Sequence, residues 1–216
     1  MLDDHAGFVK RLSCHHFRRS PLTNLHALVG SRICHDLINP LGAIGNGIEL
    51  LGLTGVGAGP EFQLVEDSVA NATAKLKLLR LAFGAASREQ VCSRIEILSI
   101  LDAVAHGGRL RYSWHVSGDV ARLDARVALL AAMCVESALP MGGEIDLRKS
   151  GEHWEVQTQN DRLTLDPNLW GPLGRNACPD DLSAAQVHFG LLAPMAEEAG
   201  RKPQVSHGAN WVKIAF

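Results

Sequence analysis

A histidine and an aspartate stand side by side at His35-Asp36, inside the stretch SRICHDLINPLGAIGNG that runs from Ser31 to Gly47. A neutral imidazole is a good nucleophile near pH 7, and histidine is the side chain that titrates there. A neighbouring carboxylate can accept a hydrogen bond from one ring nitrogen. That holds the tautomer whose other nitrogen attacks, as a triad acid orients its base. Phosphoryl transfer, which asks mainly for in-line positioning and charge neutralisation, suits such a pair. At about 100° per residue, Cys34, Leu37, Leu41, Ile44, Ile48 and Leu51 fall on one helical face. His35, Asn39, Gly42 and Asn46 fall on nearly the opposite one, a stripe of polar and very small residues. Arg32 and Asn39 lie about one turn to either side of His35. There Arg32 meets either phosphate oxygens or an acidic partner surface. The candidate catalytic set is therefore His35, Asp36, Asn39 and Arg32, on a stripe read as a docking surface.

The element carrying this set is expected to start near Thr23 or Asn24, either of which can cap a helix, and to run to about Leu53. Pro40 interrupts its hydrogen bonding and is expected to bend it. Gly42, Gly45 and Gly47 follow, each costing about 1 kcal/mol relative to alanine in a helix interior. Docking favours glycine at Gly42; for Gly45 and Gly47, docking and close helix packing are equally good reasons. The run GVGAGP (residues 55–60) lacks a preceding strand and a following Gly-Lys-Ser/Thr, so it is a connection and not a phosphate loop. Pro60 opens a second helix, expected from about Glu61 to Ala86, with Phe62, Val65, Val69, Ala72, Leu76, Leu79 and Phe83 in a three-four repeat. Two such seams are poorly buried by one hairpin, which predicts a homodimer closed as a four-helix bundle.

After about Val91 the pattern changes. Helices are expected over 95–105, 121–139 and 183–199, and strands over 111–116, 144–148, 153–159, 204–206 and 211–216, with at most one short helix near Leu169. The fold class is α+β. An arm (1–22) precedes a helical hairpin (23–88), and an α/β sandwich (91–216) follows. His106 reads as a helix end; His115, His153, His188 and His207 share no ligand spacing with acids or cysteines and read as structural or solvated.

The net charge of −2 gives no electrostatic footprint for nucleic acid. No apolar run reaches the roughly 18 residues of a membrane span, and the N-terminus lacks the apolar core of a signal peptide. The five cysteines (Cys14, Cys34, Cys92, Cys134, Cys178) are scattered without a Cys-x-x-Cys pair, which argues against a disulfide framework or zinc cage and for a reducing cytoplasm.

Taken together, His35-Asp36 with Pro40 on the first of two heptad helices, then this α/β order, resembles a bacterial histidine-kinase core: a dimerising, phospho-accepting hairpin joined to a Bergerat-type ATP-binding domain. Pro140, Gly142 and Gly143 resemble the end of the kinase N-box segment, and residues 187–216 its last helix and hairpin. The departures are specific. Cys134 stands where the resemblance calls for a magnesium-binding asparagine. Asn160-Asp161-Arg162-Leu163 replaces an Asp-x-Gly-x-Gly adenine turn, and no Gly-x-Gly turn precedes the last helix. A kinase-shaped dimer without these parts is similar to the ChpT-type bacterial histidine phosphotransferases, whose box also carries Cys-His-Asp-Leu and a proline. The resemblance implies phosphate entering at His35 from the receiver aspartate of a hybrid histidine kinase and leaving to a response regulator. It implies no ATP use and no cofactor of the chain's own, the magnesium ion belonging to the partner receiver. An ATP-dependent histidine kinase with an atypical nucleotide site, and a non-catalytic receiver-binding adaptor, are the alternatives.

Overall fold

A computed structural model describes residues 21–53 and 59–216; the side chains of residues 21–29 and 31–36 lie outside that description, as do residues 1–20 of the arm expected over 1–22, whose last two residues already belong to the first helix. Helix α1 (Pro21–Leu53) continues through Pro40, and helix α2 (Pro60–Phe83) opens on its proline as expected. α2 stops three residues early because the chain leaves the helix at Gly84 in an extended conformation. The two helices pack as an antiparallel pair. A Cβ added at Gly45 would lie 3.7 Å from Val69, one at Gly52 3.6 Å from Phe62, and one at Gly30 3.8 Å from the Phe83 carbonyl oxygen, which sets the register.

Strand β1 (Val91–Cys92) leads into helix α3 (Arg94–Ala105), whose first turn is capped by Ser93 Oγ accepting from the Glu96 N–H at 3.1 Å. α3 ends at His106, as its sequence implies. Then come β2 (Leu110–Trp114), β3 (Val120–Ala121), α4 (Arg122–Ser137), β4 (Gly143–Ser150), β5 (His153–Gln159), α5 (Pro167–Gly174), a 3₁₀ turn (Ala184–Gln186), α6 (Val187–Glu198), β6 (Gln204–His207) and β7 (Trp211–Ala215). The helix expected from Ser183 thus begins as a 3₁₀ turn, capped by Ser183. The expected α+β composition is present. The β1–β3 ribbon, two residues a strand, is too short for any alternation to show.

Five strands form one sheet in the order β2-β4-β5-β7-β6, with β2 parallel to β4 and the other pairs antiparallel. Ile145, Leu147, Trp154, Val156, Val212 and Ile214 line its inner face and are buried against α4, with Trp154 stacked on Phe216. Charged and polar residues alternate onto the outer face, where His115 Nε2 meets Asp146 at 2.8 Å and Lys213 meets Glu155 at 2.9 Å. α4 is buried along most of its length, charged residues included, between the sheet, α6 and the end of α2. The core continues into α2 through Leu78, Leu81 and Ala82.

Cys92 and Cys134 are buried free thiols, and burial raises the pKa of each. Cys178, in contrast, is disulfide-bonded, so the sequence argument against cross-linking does not hold there. Among the described residues no helix is long and apolar enough to cross a membrane.

Candidate functional site

α1 carries Arg32, His35, Asp36 and Asn39 on one uninterrupted helical backbone. The side chains of Arg32, His35 and Asp36 lie outside the described residues; Asn39 is exposed. The rest of the stripe is open. Asn46 is exposed, and a Cβ added at Gly42 would meet nothing within 4 Å. Gly47 is equally clear, whereas Gly45 faces Val69, so close packing within the chain accounts for Gly45 alone.

Three faces of α1 are thereby distinguished. One, with Gly45, Ile48 and Gly52, packs on α2. A second, with Leu37 (46% exposed) and Ile44 (50% exposed), is apolar and uncovered in the single chain. The third is the polar stripe, about 180° around the helix from Ile44 at 100° per residue. Its lower part borders a groove of about 450 Å³ between α1, α2 and α3, lined by Gly42, Asn46, Thr73, Lys77, Ser99 and Ala103 among others. Gly42 is seven residues from His35, about 10 Å along the axis. α3 therefore flanks the stripe, which sequence reasoning did not find. No local pattern reports that Ser99 and Ala103 lie beside residues more than fifty positions away.

The positions compared above with a nucleotide site are occupied by structural contacts. Cys134 is fully buried in α4 and reaches no open surface. Asn160 Nδ2 donates to the Gly142 carbonyl oxygen at 3.2 Å, and its Oδ1 accepts from the Arg162 N–H at 2.9 Å. Gly142 and Gly143 hold φ of 88° and 154° here, and a Cβ on Gly142 would come within 2.3 Å of the Arg109 carbonyl oxygen. Close approach of the Arg109 backbone thus requires Gly142, and a Cβ on Gly143 would press on the side chains of Asn160 and Leu139 at 2.9 Å and 3.0 Å. Among the described residues no three or more His, Cys, Asp or Glu side chains gather as a metal site.

Among the described residues, His115, His153 and His188 lie away from the stripe. His115 and His153 face carboxylates on the outer face of the sheet, Asp146 at 2.8 Å and Glu155 at 3.5 Å. His188 is buried in α6, with its ring against Phe189 and its Nε2 unpaired. Burial pushes its pKa down to about 4.

Residues 94–210 match the family model described as the histidine phosphotransferase C-terminal domain. The chain belongs to the histidine phosphotransferase family. A relative from Brucella abortus (strain 2308), protein phosphotransferase ChpT, is 33% identical over 188 residues, which is 83% of this chain and 88% of that protein. A solved structure described as a bacterial phosphotransferase superposes with a TM-score of 0.62 at 25% identity, covering 92% of this chain and 97% of the other. The family match begins C-terminal to His35. In this histidine phosphotransferase, then, it is the α3–β6 part that carries the family signature, and α1 that carries the histidine-aspartate pair.

Proposed function

We propose that the chain is a relay in two-component signalling: His35 takes phosphate from the receiver aspartate of a hybrid histidine kinase and passes it to the aspartate of a response regulator. The observation that supports this reading is the His35-Asp36 motif on the α1 backbone one turn before Asn39, with Asn39 and Asn46 exposed and clear space at Gly42, in a chain of this family. One imidazole nitrogen attacks phosphorus in line as the bond from phosphorus to the receiver's carboxylate oxygen breaks, giving phosphohistidine and a free carboxylate. The second transfer is the reverse step with a new carboxylate as nucleophile. Asp36 holds the proton on the other nitrogen, and Arg32 and Asn39 contact phosphate or the docked receiver. The receiver brings the magnesium ion.

The reading includes a hairpin over 23–88 and an α/β domain over 91–216 that does not use ATP. Supporting this, Cys134 is sealed in the core and the amide of Asn160 is already engaged with Gly142 and Arg162. It also includes a cytoplasmic homodimer, in which the Leu37–Ile44 face of one chain meets its copy.

The test is a phosphotransfer assay with radiolabelled ATP, run with this protein alone and with a hybrid kinase from the same genome. Label on the protein only when the kinase is present, and none on His35→Ala, is the expected result. Label without kinase would make the protein an ATP-dependent kinase. No label in either lane, with the kinase receiver demonstrably phosphorylated, would favour a receiver-binding adaptor.

A further inference from the structure

The end of α2 is held by a side chain from the far side of the linker. Arg122 opens α4, is 9% exposed, and donates from Nη1 to the Leu81 carbonyl oxygen at 2.7 Å and from Nη2 to that of Arg80 at 2.8 Å. Its backbone N–H donates to the Gln90 carbonyl oxygen at 2.9 Å. Carbonyls in the last turn of a helix run short of amide partners, and the negative end of the helix dipole gathers there; the Arg80 carbonyl oxygen also accepts the Gly84 N–H at 3.1 Å. A buried guanidinium with a planar fork answers both needs and fixes direction as well as distance. The same α4 residue thus grips the helical hairpin with two bonds and the 84–90 linker with a third.

This grip reaches the reactive stripe through rigid packing. α2 sets the register of α1 through Gly30, Gly45 and Gly52. Leu78, Leu81 and Ala82 of α2 share one core with Ile97, Ile100 and Leu101 of α3, which flanks the groove beside the stripe. A looser α2 end would free α3 and α1, which both pack on α2, to shift relative to each other without any change at His35 itself.

We infer that Arg122 is a positioning residue for phosphotransfer: by tying Arg80 and Leu81 of α2 to α4, it holds the α1 stripe and the α3 face as one preformed surface for the incoming receiver. The inference rests on the relay reading given above. A receiver that meets a preformed surface loses less in ordering it, so the clamp acts on docking and leaves the in-line step at His35 unchanged.

The experiment compares the full chain with Arg122→Gln and Arg122→Lys, using a phosphorylated receiver as donor and hydrogen exchange as a second readout. For Arg122→Gln the KM for the receiver is expected to rise about tenfold with kcat within about twofold, the signature of lost docking and not of lost chemistry. Amides of residues 81–84 should exchange faster while those of β4 and β5 do not change. Arg122→Lys, which can reach one carbonyl but not both, should fall between. If Arg122→Gln does not fold, Arg122→Lys carries the same comparison. An unchanged KM with faster exchange would reduce Arg122 to a helix cap, and a lower kcat at unchanged KM would place it in the chemistry; either overturns the proposal. A wild-type protein that takes no phosphate would overturn the relay reading itself and this inference with it, and the exchange data would still report whether the clamp exists.

Discussion

Arg201 grips Asp124 with two donors, Nε to Oδ1 at 3.2 Å and Nη2 to Oδ2 at 3.1 Å, joining residues 77 positions apart across the gap between α6 and α4. Both side chains are largely buried, at 14% and 10% exposure. Removing one member of such a pair strands the other's charge, whereas replacing both with apolar groups of similar size can cost little. Arg201→Met is expected to destabilise the fold by about 3 kcal/mol, the low end for a buried pair because Lys149 remains 3.8 Å from Asp124. The double variant Asp124→Leu/Arg201→Met should lose less than Arg201→Met alone. Urea unfolding of the two variants and wild type measures both differences.

His188 makes stability depend on pH. In the fold its pKa is held down to about 4 by burial; unfolded, it returns to about 6.5. The unfolded chain then binds more protons between these values, so stability is complete above about pH 6.5 and falls as pH drops toward 4. From pH 7 to pH 5 the loss from this one group is about 2 kcal/mol. His188→Leu should remove most of that slope. Thermal unfolding of the variant at the two pH values should give a smaller difference in Tm than wild type, and an equal difference would show that His188 is not the source.

Much of the architecture is legible in the sequence because it rests on local periodicity. The alternation of Glu144 to Arg148 and His153 to Gln159 shows a hairpin with one buried face, and Pro60 marks a helix start that the structure keeps. The long-range part is not legible. α2 meets α1 through Phe62 and Val69 of its three-four repeat, but Leu78, Leu81 and Ala82 form a second buried face toward α3 and α4, which Lys75, Lys77 and Arg80 interrupt in the sequence. α4 reads as a mostly apolar helix. That its charged residues Arg122, Asp124 and Arg126 are buried as well depends on partners at Leu81, Arg201 and Glu198 that no local pattern brings near. The His35-Asp36 pair is visible as a motif because neighbouring residues carry it, while the flank supplied by α3 is visible only in the fold.

Gly42 separates docking from packing. Nothing lies within 4 Å of a Cβ built there, so Gly42→Ala should stabilise the helix by about 1 kcal/mol, the ordinary gain at a helix-interior position with room for a methyl group. Gly42→Leu should fold as well as wild type, yet its side chain would stand on the stripe seven residues from His35. Receiver-dependent labelling of Gly42→Leu is expected to fall at least about tenfold, as a bulky group at a docking face lowers productive encounters. Full labelling of a folded Gly42→Leu would show that receivers do not approach along this stripe.

The apolar face of α1 predicts the assembly. Leu37 and Ile44 are about half exposed in the single chain and lie about 180° from His35 on the helix, so covering them with a second copy leaves the reactive stripe open. On α2, Leu64 and Val65 are exposed too, at 68% and 49%. Exposed apolar side chains of this kind on a helical hairpin are buried most simply by its own symmetric copy. Light scattering behind a sizing column should report twice the 23.3 kDa chain mass for wild type. Ile44→Glu would put a charge without a partner into that contact, which costs far more there than in water, and should give the single-chain mass while circular dichroism stays unchanged. Ile44→Glu that remains at twice the chain mass would move the dimer contact to another face, and wild type at the single-chain mass would leave the relay surface to one chain alone.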